Sequence, residues 1–474
     1  MIAEWLEQRM RPLNAAPVRA RGRDYVLCWL QQALRAADNP IIDAALALGA
    51  LHGLPVLIYH GLSDRYPHAS RRLHRFILQA HRSLARDAAA RGLRFCGYVE
   101  RAEKPEKGLV HRLAARAALV VTDDVPAFVA RRHAWQVAAR IDVALLAVDA
   151  CCLVPMSAFP DLLEATPAFR RAHTPQRAPW LEAEAIDLEP RPFDGALDFE
   201  PDDLRALDDA GLESLIARCA IDHTLPPAPG FDGGREAALG RLAHAVERVL
   251  PDYRSRRNNP ADPDSSTKLS PYLHFGVLGV REVARAVRDA DFPAASRYKF
   301  LDELLTWREY FYHLARFSAD PADYANVPED ARRTLAEHAA DPRPALYSAE
   351  ALLRGETADE TWNAAQKQYL LEGWMHNNLR MYWGKKLIEW RATPEDAWRI
   401  ACYLNDRLSL DGRDPATYGN LQWCFGRAKP AWRETPIYGR VARRSDAALR
   451  KRPQVADWLR EQAQRPAPKV RVEA

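Results

Sequence analysis

The 474-residue chain lacks the features that mark several common protein classes. No apolar run approaches the ~20 residues needed to cross a bilayer, so no membrane contact is expected. The first thirty residues are Arg-rich but carry Glu4 and Glu7 and have no apolar signal core. A cytoplasmic protein without a secretory signal is the expectation. Cysteine is scarce: Cys28, Cys96, Cys151, Cys152, Cys219, Cys402 and Cys424 are scattered, odd in number and never spaced C-x-x-C. That argues against both a zinc site and a disulfide framework. The net charge is only +4, so any polyanionic partner must be met by local clusters rather than by the sum. The glycine fingerprint of dinucleotide-binding sheets is missing, as is a Walker-type loop. No internal repeat or low-complexity tract breaks the chain.

Tryptophan, by contrast, is abundant and unevenly placed. Nine of the thirteen lie after position 300: Trp307, Trp362, Trp374, Trp383, Trp390, Trp398, Trp423, Trp432 and Trp458. Indoles are large, need a partner for their N–H and stack on flat rings. They also lose single electrons. The cluster fits either a site for aromatic ligands or a redox cofactor, or a Trp-rich helical core.

The length exceeds one ordinary core, so two or three domains are expected. Residues 20–150 read as a Rossmann-like α/β domain with a parallel sheet. Strand candidates at 25–30, 55–60, 94–99, 118–123 and 142–149 alternate with helix-like stretches around 40–50, 68–91, 107–116 and 126–140. Residues 151–232 are rich in proline, which breaks helices, and read as a long interdomain linker with short helices such as 200–217. Residues 233–464 read as an all-α domain, with helices at 237–249, 280–289, 297–319, 362–390 and 394–404. The tail, 465–474, is expected to be disordered.

Four segments carry chemistry. In Ser265-Ser266-Thr267-Lys268-Leu269-Ser270-Pro271, hydroxyls before a Pro-led helix make either a phosphate site or a plain N-cap. In Glu303-Leu304-Leu305-Thr306-Trp307-Arg308, an acid and an indole sit four apart on one helical face. From Trp374 to Trp390, Trp374, Asn377 and Arg380 or Met381 lie on one stripe, where Asn377 and Arg380 would each need a partner if buried. Trp383 and Trp390 are two turns apart, about 10 Å along the axis. In the segment from Tyr403 to Pro415, Asp411 is a plausible partner for Arg380, and DGRDP has the composition of a tight turn.

Together these segments resemble the photolyase–cryptochrome flavoproteins, and most closely the class II cyclobutane pyrimidine dimer (CPD) photolyases. STKLSPYLHFG resembles the flavin-phosphate segment, and MHNNLRMYWGKKLIEW and YLNDRLSLDGRDP resemble class II signatures. The resemblance implies an α/β domain, a linker and a helical FAD domain. It implies FAD contacts at Tyr253, Ser266, Thr267, Lys268, Leu269, Ser270, Arg308, Asn377, Arg380, Asp411 and Asp414. Arg380 and Asp411 would form a salt bridge beside the isoalloxazine, and Asn405 would lie near flavin N5. Glu303 would hydrogen-bond the damaged base, with Trp307, Trp423 and Met381 around it. Trp383, Trp362 and Trp390 would pass electrons to the flavin, assisted by Tyr382 and Tyr347. Arg256, Arg257, Arg427, Lys429, Arg440 and Arg443 would hold DNA phosphates.

The implied activity is blue-light repair of pyrimidine dimers flipped out of UV-damaged DNA, by a deoxyribodipyrimidine photolyase acting as a monomer. A cryptochrome-like photoreceptor with the same flavin site is the alternative, as is (6-4) photoproduct repair. The latter is expected to need pocket histidines that are not evident near Trp423. A deazaflavin, folate or second flavin antenna in the α/β domain is compatible with the resemblance.

Overall fold

A computed structural model gives the fold and describes residues 2–427 and 432–471. Six strands form one sheet: β1 (Met10–Pro12), β2 (Tyr25–Trp29), β3 (Val56–Leu62), β4 (Arg94–Val99), β5 (Ala117–Asp123) and β6 (Leu145–Val148). Their order is β1-β6-β5-β2-β3-β4. The pairs among β2 to β6 are parallel, as the strand–helix alternation predicts. β1 was not anticipated and runs antiparallel on β6 at the edge. Helices Pro40–His52, Arg71–Ala90, Leu109–Arg116 and Phe128–Ala138 connect the parallel strands. Every residue of β2 and β5 is buried, consistent with a sheet covered on both faces.

The linker carries short helices, Thr166–His173 and Arg177–Glu182 among them. Instead of a helix over 200–217, only Asp209–Ile216 is helical, because Asp208 caps it through the Gly211 N–H. The second half is helical throughout, with three departures from the sequence reading, the first being that the expected helix over 237–249 passes from α-helix Arg235–His244 into a π-turn at Ala245–Val249. The expected single helix over 362–390 is two helices, Glu360–Glu372 and Asn377–Trp390. Gly373, at φ +63°, ends the first in the left-handed conformation that favours glycine. The expected helix over 297–319 is continuous in path but widens at Asp302–Arg308 into a π-turn between Ala294–Leu301 and Glu309–Phe317. Part of the expected tail makes contacts with the fold. Val470 is buried, and the Arg471 N–H donates to Thr224 Oγ1 at 3.1 Å.

Among the described residues, no helix is long and apolar enough to cross a membrane. Two buried guanidinium groups fasten the α/β layer to the helices. Arg72 donates to four backbone carbonyls, and Arg35 donates to the Gly276 carbonyl at 2.8 Å.

The α/β domain buries a histidine pair. His60 Nδ1 and His81 Nδ1 are 3.1 Å apart. Burial lowers His60 to about 4 and His81 well below its ordinary value. Burial likewise lowers His74 to about 3. The unfolded chain binds protons at these sites from about pH 6.5 downward, while the folded chain resists, so stability falls as pH drops through this window. Asp43 and Asp149, each raised to about 6 by burial, act in the opposite sense as they protonate in the fold. Burial also raises Asp87 and Asp123 and lowers His111 and His133 in this layer, so five histidines stand against four carboxylates and lead. The urea midpoint is therefore expected to fall between pH 6.5 and 4.5. A midpoint that is flat or rising would show that the carboxylates dominate.

Candidate functional site

The widened turn decides what faces the site. A π-turn carries more residues per revolution than an α-helix and recurs at functional positions. Here it presents Glu303 and Trp307 to one cavity of about 180 Å3. Tyr253, Ser266, Arg308 and Asn377 line the same cavity. The structure thus brings together residues from the first three sequence segments. Trp423, from helix Pro415–Cys424, meets Trp307 edge-on with ring centroids 5.1 Å apart. Met381 does not line this cavity; its sulfur packs 3.9 Å from Cys424 Sγ.

Two cations hold Glu303. Arg257 Nη2 lies 2.7 Å and Lys299 Nζ 2.6 Å from its carboxylate. Sequence reading placed Arg257 on DNA and did not find Lys299, although Lys299 and Glu303 are an i, i+4 pair. His376 also escaped notice, and its position just before a helix is the signal that marks it. It is the N-cap of Asn377–Trp390, where its Nδ1 accepts from the Asn378 N–H at 3.1 Å. Burial lowers His376 to about 3, so it is neutral with its proton on Nε2.

Arg380 and Asp411 meet as expected, at 3.2 Å and nearly fully buried. Burial alone would raise Asp411, but Arg380 and the Ser409 and Ser270 hydroxyls outweigh it and hold the acid below its usual range. The Arg380 guanidinium also sits 5.5 Å from the Tyr369 ring centroid. Asn405 is fully buried and accepts from the Tyr369 hydroxyl at 2.9 Å.

Other members of the phosphate segment have structural work. Leu269 is core, and Lys268 Nζ lies 5.3 Å from the Trp374 ring centroid. Trp374 stands in the break before helix Asn377–Trp390, so the expected stripe from Trp374 through Arg380 is interrupted. Thr267 is 9% exposed, and Ser270 opens helix Ser270–His274.

Two expected flavin contacts are committed elsewhere. Asp414 caps helix Pro415–Cys424 through the Ala416 N–H at 2.8 Å and accepts from His274 at 3.1 Å and Tyr312 at 2.7 Å. Asp–Pro is an N-cap followed by Pro at the first helical position, which accounts for this use. Arg308 reaches the cavity, yet its guanidinium donates to the Cys151 carbonyl at 2.7 Å and to Tyr312 at 2.9 Å.

Of the expected phosphate-binding cations, Arg256 is paired with Asp262 at 2.6 Å, and Arg427 donates to the Asn326 carbonyl at 2.6 Å. Arg440 and Arg443 are exposed. Lys429 lies outside the described residues.

The aromatic residues assigned to electron transfer form a continuous path. Trp383 stacks on Trp362 with centroids 6.1 Å apart and planes 8° from parallel. Trp362 meets Trp390 edge-on at 5.4 Å, and Trp390 meets Tyr347 at 5.2 Å. Trp362 comes from the neighbouring helix and fills the gap between two indoles that share a helix face. Tyr382 donates instead to Asp359, and burial together with that carboxylate raises its pKa.

Buried donors around the cavity match an anionic, acceptor-rich cofactor such as FAD. Arg257 Nε and His376 Nε2 are buried with no hydrogen-bond partner among the described residues, as is Arg380 Nε, which does not line the cavity. Such groups cost about 1–3 kcal/mol each if nothing accepts from them. Arg257 and His376 line the cavity, beside Ser266 and Asn377. The donor chemistry therefore fits the group that the sequence resemblance implies, of which a cavity of about 180 Å3 encloses only a part.

The profile of the DNA photolyase family matches residues 26–191. A deoxyribodipyrimidine photo-lyase of Methanothermobacter thermautotrophicus is 31% identical over 463 residues, covering 95% of this chain and 97% of that one. One from Oryza sativa is 32% identical, covering 88% and 83%. The chain belongs to the photolyase–cryptochrome family. The photolyase–cryptochrome fold is also seen in solved structures. A Synechocystis cryptochrome superposes with a TM-score of 0.69 at 17% identity, covering 93% of this chain and 88% of that one. A class III photolyase from Agrobacterium tumefaciens superposes with a TM-score of 0.61 at 19% identity, covering 88% and 83%.

In this photolyase–cryptochrome chain the linker fixes the π-turn at Asp302–Arg308. Arg170 pairs with Asp302 at 3.0 Å. Arg177 donates to Thr306 Oγ1 at 2.7 Å and to His173 Nδ1 at 3.0 Å. The opposite nitrogen of His173 lies 2.7 Å from Glu309, whose other oxygen accepts from the Leu153 N–H. Both cations and His173 belong to one stretch of the linker, from helix Thr166–His173 to helix Arg177–Glu182. Replacing Arg177 with Met is expected to cost about 2 kcal/mol, the loss of two charged hydrogen bonds in partial burial. Amide hydrogen exchange over 302–309 is expected to accelerate at least about tenfold while the sheet stays protected. Equal acceleration in both places would mean that the contacts serve global stability alone.

Proposed function

We propose that this chain is a DNA photolyase of the class II type that splits cyclobutane pyrimidine dimers with blue light. Sequence relatives named as deoxyribodipyrimidine photo-lyases support the activity at the level of DNA photolyase. The finer reading rests on one observation: Glu303 and Trp307 share a cavity with Ser266 and Asn377. An acid and an indole suited to a flipped base thus adjoin hydroxyl and amide groups suited to a flavin nucleotide.

Bound FAD would supply the light-absorbing one-electron donor, chemistry that no side chain offers. Ser266, Asn377 and Tyr253 would hold it, with Arg257 and His376 donating to its acceptors. Arg380, ion-paired with Asp411, would add a buried guanidinium donor beside the ring. Asn405 is oriented by Tyr369. Glu303 hydrogen-bonds the damaged base through its carboxylate, which the Arg257 and Lys299 contacts hold in place. Trp307 and Trp423 offer a right-angled pair of faces against which an extruded dinucleotide stacks. Arg440 and Arg443 are the exposed cations left to meet phosphates. The path Trp383–Trp362–Trp390 carries electrons inward to keep the flavin reduced.

A second cavity, about 530 Å3, opens at the carboxyl ends of β2, β3 and β4 beside Trp29, Tyr59, Tyr98 and Arg132. Ligands of parallel sheets sit at such ends, and an antenna chromophore fits there.

The test is direct. The purified protein is expected to show flavin absorption and, when illuminated with UV-damaged DNA under reducing conditions, to remove CPDs. Flavin bands without loss of dimers would favour a cryptochrome-like photoreceptor. Absence of flavin would reject both.

A further inference from the structure

The indole path does not end at a featureless surface. Trp390, Tyr347 and Tyr382 form the wall of a separate cleft of about 1050 Å3. Small-ligand sites commonly span about 300–1,000 Å3, so the cleft has room for a dinucleotide. It shares no lining residue with the cavity of Glu303 and Trp307. Arg444 stands between the two, bonded to Asn378 of the other cavity.

The walls combine flat rings with positive charge. Trp432 lies at the cleft and is 52% exposed, with no ring stacked on it among the described residues. The carboxylates are already taken. Glu389 and Asp359 face Lys386, and Glu389 also faces Arg443 at 3.8 Å. Asp446 and Glu360 face Arg450. Two cations remain without a carboxylate partner among the described residues, Arg433 and Arg444. A ligand with a planar ring and an anionic linker would use both features, stacking on the indole and binding phosphate through guanidinium forks.

We propose that this cleft binds a reduced nicotinamide dinucleotide, which returns electrons to Trp390. The inference rests on the electron-path reading above. When the path has passed an electron inward, Trp390 is left oxidised by one electron. One electron from the dihydronicotinamide restores the neutral indole. The radical cation so formed loses its C4 proton to water. The remaining neutral nicotinamide radical gives its electron to Trp390 after a second photon, and oxidised nicotinamide leaves. Two electrons and one proton are accounted for per dinucleotide. A simple thiol would use neither the exposed indole nor the unpaired guanidinium groups.

The experiment uses the flavin-loaded protein and NADH. In the dark, quenching of tryptophan emission by NADH is expected to saturate. After a laser flash, the rate at which the oxidised indole disappears is expected to saturate at the same NADH concentration. Arg433→Glu and Trp432→Ala, both exposed positions, are each expected to raise that concentration about tenfold, with the yield of oxidised indole unchanged. A rate linear in NADH and equal in the variants would mean simple collision at an exposed ring and would overturn the proposal. Displacement of NADH by undamaged duplex DNA would assign the cleft to nucleic acid and also overturn it. If no oxidised indole forms, the electron-path reading fails, and the dark titration alone decides the site: unsaturable quenching rejects it.

Discussion

Trp362→Phe is expected to slow photoreduction of the bound flavin by at least about a hundredfold, the effect of raising one step by about 3 kcal/mol. The geometry sets the size of this effect. Trp383 and Trp390 are seven residues apart on one helix, so their backbones are separated by about 10 Å along the axis. Trp362 bridges that gap from helix Glu360–Glu372, stacked on one indole and edge-on to the other. Its indole N–H donates to the Trp383 carbonyl at 3.0 Å, which fixes the ring in place. Trp383 is fixed in turn through Gln366 at 2.9 Å. Phenylalanine keeps a ring there but is far harder to oxidise, so the hole must cross in one long step or remain on Trp383.

Repair by enzyme whose flavin has been reduced chemically is expected to survive Trp362→Phe, because the cavity proposed for the lesion is not lined by any of these indoles. Trp398→Phe is the control for packing. Trp398 is also buried and donates its N–H to a carbonyl, that of Ala322, but it lies off the path. Photoreduction that slows equally in both variants would show that loss of packing, not loss of the relay, is responsible.

The relay shows where sequence is informative and where it is silent. Residues on one element can be related by spacing, and Trp383 with Trp390 is such a case. Trp362 lies on another helix, and its insertion between the two is a tertiary fact that no period encodes. Its proposed role rests on the family resemblance alone. The parallel strands were legible because each is a short, wholly buried apolar run between helical stretches. Met10–Pro12 was not, because three residues on an edge carry no alternation. The break at Gly373 was hidden by apolar periodicity that continues on both sides of it. The π-turn at Asp302–Arg308 was hidden because helical spacing predicts the same neighbours, so Glu303 and Trp307 were correctly paired for an imprecise reason. Asp414 shows the converse. Its Asp–Pro signature is a local capping signal, and the motif-level assignment to flavin overlooked it.

Arg72→Ala is expected to cost about 3–5 kcal/mol, the range seen when a buried, fully paired charge is lost and its partners are left behind. Arg72 sits on helix Arg71–Ala90 of the α/β domain and is 1% exposed. Its Nε donates to the Pro226 carbonyl at 2.9 Å, and its Nη1 to the carbonyls of Tyr369 and Leu408 at 2.9 and 2.7 Å. Its Nη2 donates to the Leu370 carbonyl. Tyr369 and Leu370 lie in the last turn of helix Glu360–Glu372, and Leu408 ends helix Pro394–Leu408. One guanidinium thus closes two helix C-termini, where carbonyls lack intrahelical partners and the dipoles favour positive charge. Burial lowers Arg72 to about 9, so it remains charged at neutral pH.

The same side chain packs on Gly373, where an added Cβ would come within 3.1 Å of Arg72 Cδ. Arg72→Lys is expected to recover little, since an ammonium is a point donor and cannot span four carbonyls. Because these bonds join the sheet layer to the helices that carry Trp362 and Asn405, their loss is expected to split urea unfolding into two transitions. The first would have the smaller m-value, in keeping with a smaller surface exposed. A single transition shifted by less than about 1 kcal/mol would show that water or neighbouring groups replace the guanidinium, and that the two layers are held together by apolar packing instead.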